Sequence, residues 1–204
     1  MTIERVGVVG CGLMGAGIAE VSARAGLDVM VREVDAAACE AGQQRIAKSL
    51  SRAVRSGKLS EDAEQDALRR LHFTTEFAEL ADRQLVVEAV VEDEAEKSHV
   101  FAMVDKAVEY PGAVLASNTS SIPIMKLAMA TRRPENVIGI HFFNPVPVLK
   151  LVELVPSLLT SPETIATAEQ VAVDVLGKRV IRSQDRAGFV VNSLLIPYLL
   201  SAIR

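Results

Sequence analysis

A glycine-rich turn near the N-terminus constrains the fold of this chain more than any other segment. The apolar run Val6–Val9 is typical of a buried strand, and it leads into Gly10-Cys-Gly-Leu-Met-Gly15, a G-x-G-x-x-G motif that opens a helical pattern. Gly10 suits a tight turn, Gly12 lets a pyrophosphate approach the backbone, and Gly15 lets the helix pack closely on the strand. The free amides at the start of that helix would bind the phosphates.

The residues after the motif decide whether it binds a ligand, because a glycine-rich turn can also bind nothing. The helix is predicted to end near Gly26, and a second strand follows at Asp28–Glu33. Glu33 stands 23 positions after Gly10, where an acidic residue would bind the ribose 2′-hydroxyl of NAD. Strand, turn, helix, strand and acid in this order predict a dinucleotide site, formed by Gly10, Gly12, Leu13, Met14, Gly15 and Glu33.

Composition excludes several other classes of protein. The 204 residues are enough for one large domain or one and a fraction, and the net charge of −4 argues against nucleic acid as a partner. No apolar run reaches the roughly 20 residues that span a bilayer, and Met1–Arg5 leaves no room for a signal peptide before the first strand. The two cysteines have no disulfide or metal-binding spacing. We expect a cytoplasmic protein without membrane contact and without a metal.

The rest of the chain alternates between short apolar runs and helical patterns. Helices are predicted at about 93–108, 121–130 and 162–176, with a short turn at 76–80. This alternation predicts an α/β fold with a doubly wound, mostly parallel sheet of Rossmann type. The remaining strands are predicted at His72–Thr74, Leu85–Glu88, Val114–Ala116, Val137–Ile140, Leu149–Val155 and Arg179–Ile181.

A helical hairpin is predicted between the second and third strands, over residues 35–71, with Asp35 and Ser60 as N-caps. A solvated surface is the simpler interpretation of the basic face on its first helix. The alternative is a dock for a polyanionic substrate such as a nucleotide phosphate. The residues of this face are Lys48, Arg52 and Arg55, beside Ser49.

His141 and Glu153 are the strongest candidates for chemistry. His141 follows the strand Val137–Ile140, at the sheet edge where ligands bind. Period two places Glu153 on an otherwise apolar strand face, and an unpaired buried carboxylate is costly. His141 could be its partner, although a loop histidine bonded to backbone is the simpler interpretation. As a pair, Glu153 would orient His141 and favour its protonated form, which gives a general base beside NAD.

The segment Ser117–Ser121, which we call the serine loop, follows another strand at the same sheet edge. A serine that caps the next helix is its simpler interpretation. Ser121 could do this alone, which would leave Asn118 and Ser120 available to a ligand.

Five motifs occur in an order that resembles a known family. Their residues are Gly10–Gly15, Ser117–Ser121, His141-Phe-Phe-Asn-Pro-Val-Pro147, Leu151-Val-Glu153 and Gly188-Phe-Val-Val-Asn192. Together they resemble the L-3-hydroxyacyl-CoA dehydrogenases, most closely the bacterial 3-hydroxybutyryl-CoA type. The resemblance covers the whole chain, and the His141–Pro147 motif is its most specific part.

The resemblance implies a role for each matching residue. It implies that His141 is the catalytic base with Glu153 as its partner, and that Ser120 and Asn192 hold the reacting oxygen of the substrate. It also implies that the hairpin binds the CoA phosphates and adenine. The remaining implied contacts, on the nicotinamide side of NAD and along the cleft, are Glu92, Lys97 and Asn144. Without the resemblance, Lys97 reads as a surface partner of Asp93, one helical turn away.

The implied reaction is the NAD-dependent interconversion of short-chain (3S)-3-hydroxyacyl-CoA and 3-oxoacyl-CoA in fatty acid metabolism. Two alternatives remain: a related NAD(P)-dependent 3-hydroxy-acid or sugar-acid dehydrogenase, or a dinucleotide-binding protein without turnover. Glu33 favours NAD, but Arg32 beside it keeps NADP possible.

Family members continue into helices that close the cleft and form a homodimer. We therefore expect residues 1–184 to form the NAD-binding domain and 185–204 to form the first helix of a truncated helical domain. That helix is apolar nearly all round, so we expect it to pack on a second copy or on the sheet domain, or to be poorly ordered. NAD binding should survive the truncation, whereas productive closure over the substrate should not.

Overall fold

A single eight-stranded sheet organises the chain, of which the computed structural model describes residues 2–203. The strand order is β3-β2-β1-β4-β5-β6-β7-β8, and every neighbouring pair is parallel except β6–β7. The predicted doubly wound, mostly parallel α/β fold is therefore confirmed. The strands are β1 (Arg5–Val9), β2 (Asp28–Arg32), β3 (Leu71–Thr74), β4 (Leu85–Glu88), β5 (Val114–Ser117), β6 (Val137–Phe142), β7 (Leu151–Pro156) and β8 (Arg179–Arg182).

Helices cover both faces of the sheet, so that central strands such as β4, β5 and β6 are buried on both sides. Two of these helices begin with the side-chain N-caps that the sequence predicts. The Asp35 carboxylate accepts the amide of Ala38 at 2.7 Å, and the Ser60 hydroxyl accepts the amide of Ala63 at 3.2 Å. The helices are α1 (Leu13–Arg24), α2 (Ala36–Arg55), α3 (Glu61–Arg69), α4 (Glu94–Ala107), α5 (Ile124–Ala128), α6 (Pro162–Gln170) and α7 (Val191–Ala202).

Two boundaries near the candidate site differ from the prediction. Strand β6 extends to Phe142, so His141 lies inside the strand rather than after it. Helix α5 begins at Ile124 instead of 121, because Pro123 disfavours helical geometry in the residue before it. The prediction that Ser121 caps this helix is wrong. The Asp185 carboxylate, 61 residues from Ile124, accepts the amides of Ile124 and Met125 at 2.8 Å each.

The C-terminal helix α7 contains no buried residue. Leu194 is 69% exposed and Tyr198 is 70% exposed, so the expectation that this helix packs on the sheet domain is wrong. Its packing on a second copy stays a prediction. Over residues 2–203, none of the helices combines the length and the apolar character needed to cross a membrane.

Candidate active site

The glycine turn between β1 and α1 has the geometry of a phosphate cradle. Gly10 adopts φ +89°, and a Cβ on Gly15 would lie 1.8 Å from the carbonyl oxygen of Gly10. A Cβ on Gly12 would meet nothing within 4 Å, and no side chain caps α1. The first turn of the helix is therefore open to an anion, as a dinucleotide pyrophosphate requires.

Glu33 reaches this turn from the end of β2. Its carboxylate accepts the backbone amides of Cys11 and Val34. Burial, and then the negative charge of Glu33, raises the pKa of the Cys11 thiol to about 12, so this cysteine is a neutral packing group. The residues of the turn fit a dinucleotide whose ribose lies beside Glu33.

Arg32, the residue that could favour NADP, is already engaged elsewhere. Its Nε donates to the carbonyl of Thr75 at 3.2 Å, and its guanidinium carbon lies 4.0 Å from the centre of the Phe77 ring. A 2′-phosphate that approached Arg32 would have to compete with these two contacts.

His141 and Glu153 are direct neighbours across the antiparallel pair β6–β7. Nδ1 of His141 lies 2.6 Å from Oε2 of Glu153, and the carboxylate is completely buried. The rings of Phe143 and Phe189 lie 4.5 Å and 5.6 Å from the imidazole. Because Nδ1 is held by the carboxylate, Nε2 is the nitrogen that can exchange a proton with a ligand.

The second oxygen of Glu153 binds the start of α7. Oε1 accepts the amides of Val190 and Val191 at 2.9 Å each, so one carboxylate joins the histidine to the C-terminal helix. Asn192 follows in the first turn of this helix. Its backbone position is thereby fixed relative to His141.

Lys97 is buried rather than at the surface, so the alternative of a surface pair with Asp93 is wrong. Only 1% of Lys97 is exposed, and its Nζ lies 2.6 Å from Oε1 of Glu88 and 3.4 Å from Oε2 of Glu92. Asp93 instead caps α4 through the amide of Glu96 at 2.9 Å. Glu88 was not identified from the sequence as a site residue. An acidic residue at the end of an otherwise apolar, buried strand indicates a buried carboxylate that needs a cationic partner.

Glu92 holds the serine loop in place. Its Oε1 accepts the Thr119 hydroxyl at 2.5 Å and the backbone amides of Ser120 and Ser121 at 2.9 Å and 3.2 Å. Burial alone would raise the pKa of Glu92, but the hydrogen bonds from Thr119 and Ser120 and the charge of Lys97 lower it. Glu92 is therefore a stable anion that shapes this loop.

Asn118 is less available to a ligand than the sequence suggested. Its Oδ1 accepts the backbone amide of Phe142 at 2.9 Å, which ties the serine loop to β6 beside His141. The side-chain nitrogen of Asn118 is the group left for a ligand.

A cleft of about 280 Å³ lies between α1, α2 and the segment 144–147, and we call it the α1–α2 cleft. Arg55 does not line it, because this residue lies further along α2, beyond the end of the cleft. Arg45 lines the cleft and was missed, although it lies one turn before Ser49 on the same face. Its Nη1 donates to the carbonyl of Cys11 at 2.6 Å. The predicted residues that line the cleft are Leu13, Lys48, Ser49, Arg52 and Asn144.

The fold and these groups define a class of protein, the NAD-dependent dehydrogenases. One edge of the doubly wound sheet carries the glycine turn, the carboxylate of Glu33 and the buried pair of His141 and Glu153. Between residues 2 and 203, no three or more His, Cys, Asp or Glu side chains cluster in a way that could hold a metal.

Comparison with known proteins gives the family. The family model described as "3-hydroxyacyl-CoA dehydrogenase, NAD binding domain" matches residues 5–186. The chain belongs to the 3-hydroxyacyl-CoA dehydrogenase family. It is 62% identical over 202 residues to a 3-hydroxybutyryl-CoA dehydrogenase of Mycobacterium tuberculosis, covering 99% of this chain and 71% of that protein.

Two solved structures superpose on nearly all of this chain. FadB2 of M. tuberculosis superposes with a TM-score of 0.99 at 62% identity, over 100% of this chain and 72% of the other. The (S)-3-hydroxybutyryl-CoA dehydrogenase of Ralstonia eutropha superposes with a TM-score of 0.95 at 41% identity, over 98% and 70%. The resemblance to this family is thus confirmed.

Proposed function

We propose that this protein interconverts (3S)-3-hydroxybutyryl-CoA, or a similar short-chain 3-hydroxyacyl-CoA, and the corresponding 3-oxoacyl-CoA with NAD. The observation that carries the proposal is the buried pair of His141 and Glu153, whose 2.6 Å contact leaves Nε2 of the histidine for the substrate. The names of the 62% and 41% identical relatives support the choice of substrate.

His141 is the general base in this mechanism. Nε2 takes the proton of the 3-hydroxyl group, and in the reverse direction it returns that proton to the oxygen. Glu153 keeps the Nδ1 proton in place, so the lone pair of Nε2 faces the substrate, and it stabilises the imidazolium that forms. NAD, when bound at the glycine turn, supplies the hydride acceptor for C3.

Ser120 and Asn192 orient the reacting oxygen in this proposal and support the charge that develops on it. Both are held by a carboxylate. Glu92 accepts the amide of Ser120 at 2.9 Å, and Glu153 accepts the amides that precede Asn192. Such fixed supports favour a preorganised site, which is what stabilisation of an oxyanion requires.

The basic face of α2 binds the CoA phosphates in this proposal. Lys48, Ser49 and Arg52 line the α1–α2 cleft, and Arg45 joins them. A small free hydroxy acid would have no use for this face, which favours an acyl-CoA over the free acids of related dehydrogenases.

The organisation of the whole protein is part of the proposal. Residues 1–184 act as the NAD-binding domain, and 185–204 form the first helix of a helical unit. The exposed apolar side chains of α7 support association into a homodimer. A cytoplasmic location and a role in fatty acid metabolism, including β-oxidation, follow from the family resemblance.

Oxidation of NADH by acetoacetyl-CoA, followed by the loss of NADH absorbance, tests the proposed function. Acetoacetate without CoA is the matched control, because it offers the same keto group without the phosphates. In a form extended through the further helices of its family members, we expect turnover with acetoacetyl-CoA and little with acetoacetate. Equal turnover of both compounds would favour a free hydroxy-acid dehydrogenase instead.

A further inference from the structure

Lys178 is a buried cation that the mechanism above does not use. It follows Gly177, whose φ of +62° ends the π-helical turn after α6, and its backbone amide donates to the carbonyl of Ala172 at 2.8 Å. Only 8% of the residue is exposed. Its Nζ lies 2.6 Å from the carbonyl oxygen of Val146 and 2.8 Å from that of Leu149. One ammonium group therefore joins two points of the segment 143–150, which we call the proline loop.

Apart from the packing of Val146 and the bond from the amide of Arg179 to the carbonyl of Lys150 at 2.7 Å, few contacts hold the backbone of the proline loop. Pro145 and Pro147 have no amide protons, so the loop cannot continue the ladder of β6 and β7. Its internal backbone bonds run from the amides of Val148 and Leu149 to the same carbonyl, that of Pro145, at 3.0 Å each. The carbonyl of the buried Val146 needs a donor from elsewhere, and Lys178 provides it while also binding the carbonyl of Leu149.

The proline loop also forms one wall of the α1–α2 cleft. Val146 is 2% exposed and packs so tightly on α1 that a Cβ on Gly17 would lie 2.8 Å from its own Cβ. Asn144 and Pro147 line the cleft opposite Lys48. The position of this loop therefore sets the width of the cleft.

The surroundings of Lys178 are cationic. No carboxylate among residues 2–203 lies within ion-pair distance of its Nζ. Burial, and then the charge of Arg24 on α1, lowers the pKa of Lys178. Lys178 also borders a second cleft, of about 400 Å³, which Arg24 and Lys150 line as well. A buried charge without a counter-ion is costly, and the two carbonyls are what it binds in return.

We propose that Lys178 is a positioning residue for the acyl-CoA substrate, which clamps the proline loop so that the α1–α2 cleft fits the CoA moiety. The inference rests on the proposed function in naming CoA as the ligand. Lys178 does not touch the reacting atoms. Its effect should therefore fall on CoA affinity more than on NADH affinity, because the proline loop lines the α1–α2 cleft whereas Gly10, Gly12 and Glu33 do not.

Calorimetry with CoA and with NADH tests this clamp in three variants of the chain. Lys178→Met removes the ammonium, Lys178→Arg keeps a cationic donor, and Lys150→Met removes an exposed lysine from the same second cleft. We expect Lys178→Met to weaken CoA binding by about tenfold, the loss of a charge-assisted hydrogen bond, with a much smaller change in NADH affinity. Lys178→Arg should recover most of the CoA affinity, and Lys150→Met should bind CoA like the parent.

Hydrogen exchange at the amides of Val148 and Leu149 tests the clamp without any ligand. Both amides should exchange faster in Lys178→Met and at the parental rate in Lys150→Met. Failure of the parent to bind CoA would count against the proposed function, and the exchange rates would still test the clamp.

Parental exchange and parental CoA affinity in Lys178→Met would overturn the inference. It would also be overturned by an equal loss of CoA and NADH affinity in that variant, or by Lys150→Met weakening CoA binding as much. An arginine variant with parental loop exchange but no recovery of CoA affinity would contradict it as well.

Discussion

His141 and Glu153 stand directly opposite each other in the one antiparallel strand pair of the described sheet, with Nδ1 2.6 Å from Oε2. The same carboxylate receives the amides of Val190 and Val191, so it is fully hydrogen-bonded although completely buried. Glu153 therefore has two separate tasks, which are to orient the imidazole and to anchor the start of α7. Substitutions can separate these tasks.

Glu153→Gln should impair the histidine more than the helix anchor. The amide oxygen of glutamine can still accept from Val190 and Val191, but its NH₂ group would meet the Nδ1 proton of His141. The imidazole must then change tautomer, which removes the Nε2 lone pair. In the form extended through the further family helices, we expect turnover to fall on the order of 10²–10⁴-fold, as for the loss of a general base.

The control for this substitution is Glu153→Ala, which also removes the anchor of α7. We expect it to lower the free energy of unfolding by about 3–5 kcal/mol, clearly more than Glu153→Gln does. Chemical denaturation of both variants checks this order. Equal stability of the two would show that Glu153 does not hold the helix.

Cofactor choice should depend on Glu33. A 2′-phosphate would bring like charge against its carboxylate, and Arg32 is held by Thr75 and Phe77. We expect the parent to bind NADH more tightly than NADPH, and Glu33→Ala to reduce that preference by about tenfold or more. Calorimetry measures the affinities of the parent and of Glu33→Ala for NADH and for NADPH. Equal affinities in the parent would show that Glu33 is not the selector.

Lys97→Met should destabilise the fold, because it leaves Glu88 buried without its cation. We expect a loss of about 3–5 kcal/mol in the free energy of unfolding. Lys126→Met is the matched control, since its ion pair with Glu94 is about half exposed and should contribute at most about 1 kcal/mol. Equal stability of the Lys97 and Lys126 variants would show that the buried ion pair of Lys97 and Glu88 does not stabilise the fold.

Lowering the pH should weaken the hydrogen bonds by which the Glu92 carboxylate holds the serine loop. The pKa of Glu92 is lowered on folding, so its stabilisation is present above the ordinary glutamate pKa and is lost as the pH falls through the lowered value. Glu92→Gln should cost about 1 kcal/mol at pH 7, a modest figure because the side chain is partly exposed. The difference between parent and variant should shrink steadily as the pH falls below the ordinary glutamate pKa and through the lowered one. A difference independent of pH would rule out this role of the charge.

Features with a short-range cause could be predicted from the sequence. The glycine turn, the cap at Asp35 and the alternation of strands and helices all depend on neighbouring residues. The pairing of His141 with Glu153 was accessible because period two placed the acid on an apolar strand face close by in sequence.

Contacts between distant segments could not be predicted in this way. Asp185 caps α5 from 61 residues away, and nothing near Ile124 indicates it. Lys97 reads as a surface residue until the packing of α4 on the sheet is known, and only then does Glu88 become its partner. Arg55 shares the periodicity of Lys48, but the length of the cleft excludes it.

The most direct test compares the parent with His141→Gln, both in the form extended through the further family helices, in the oxidation of NADH by acetoacetyl-CoA and in NADH affinity. The account predicts that turnover falls on the order of 10²–10⁴-fold while NADH binds almost as before, because His141 lies outside the glycine turn. Turnover within a few-fold of the parent would remove His141 from the mechanism.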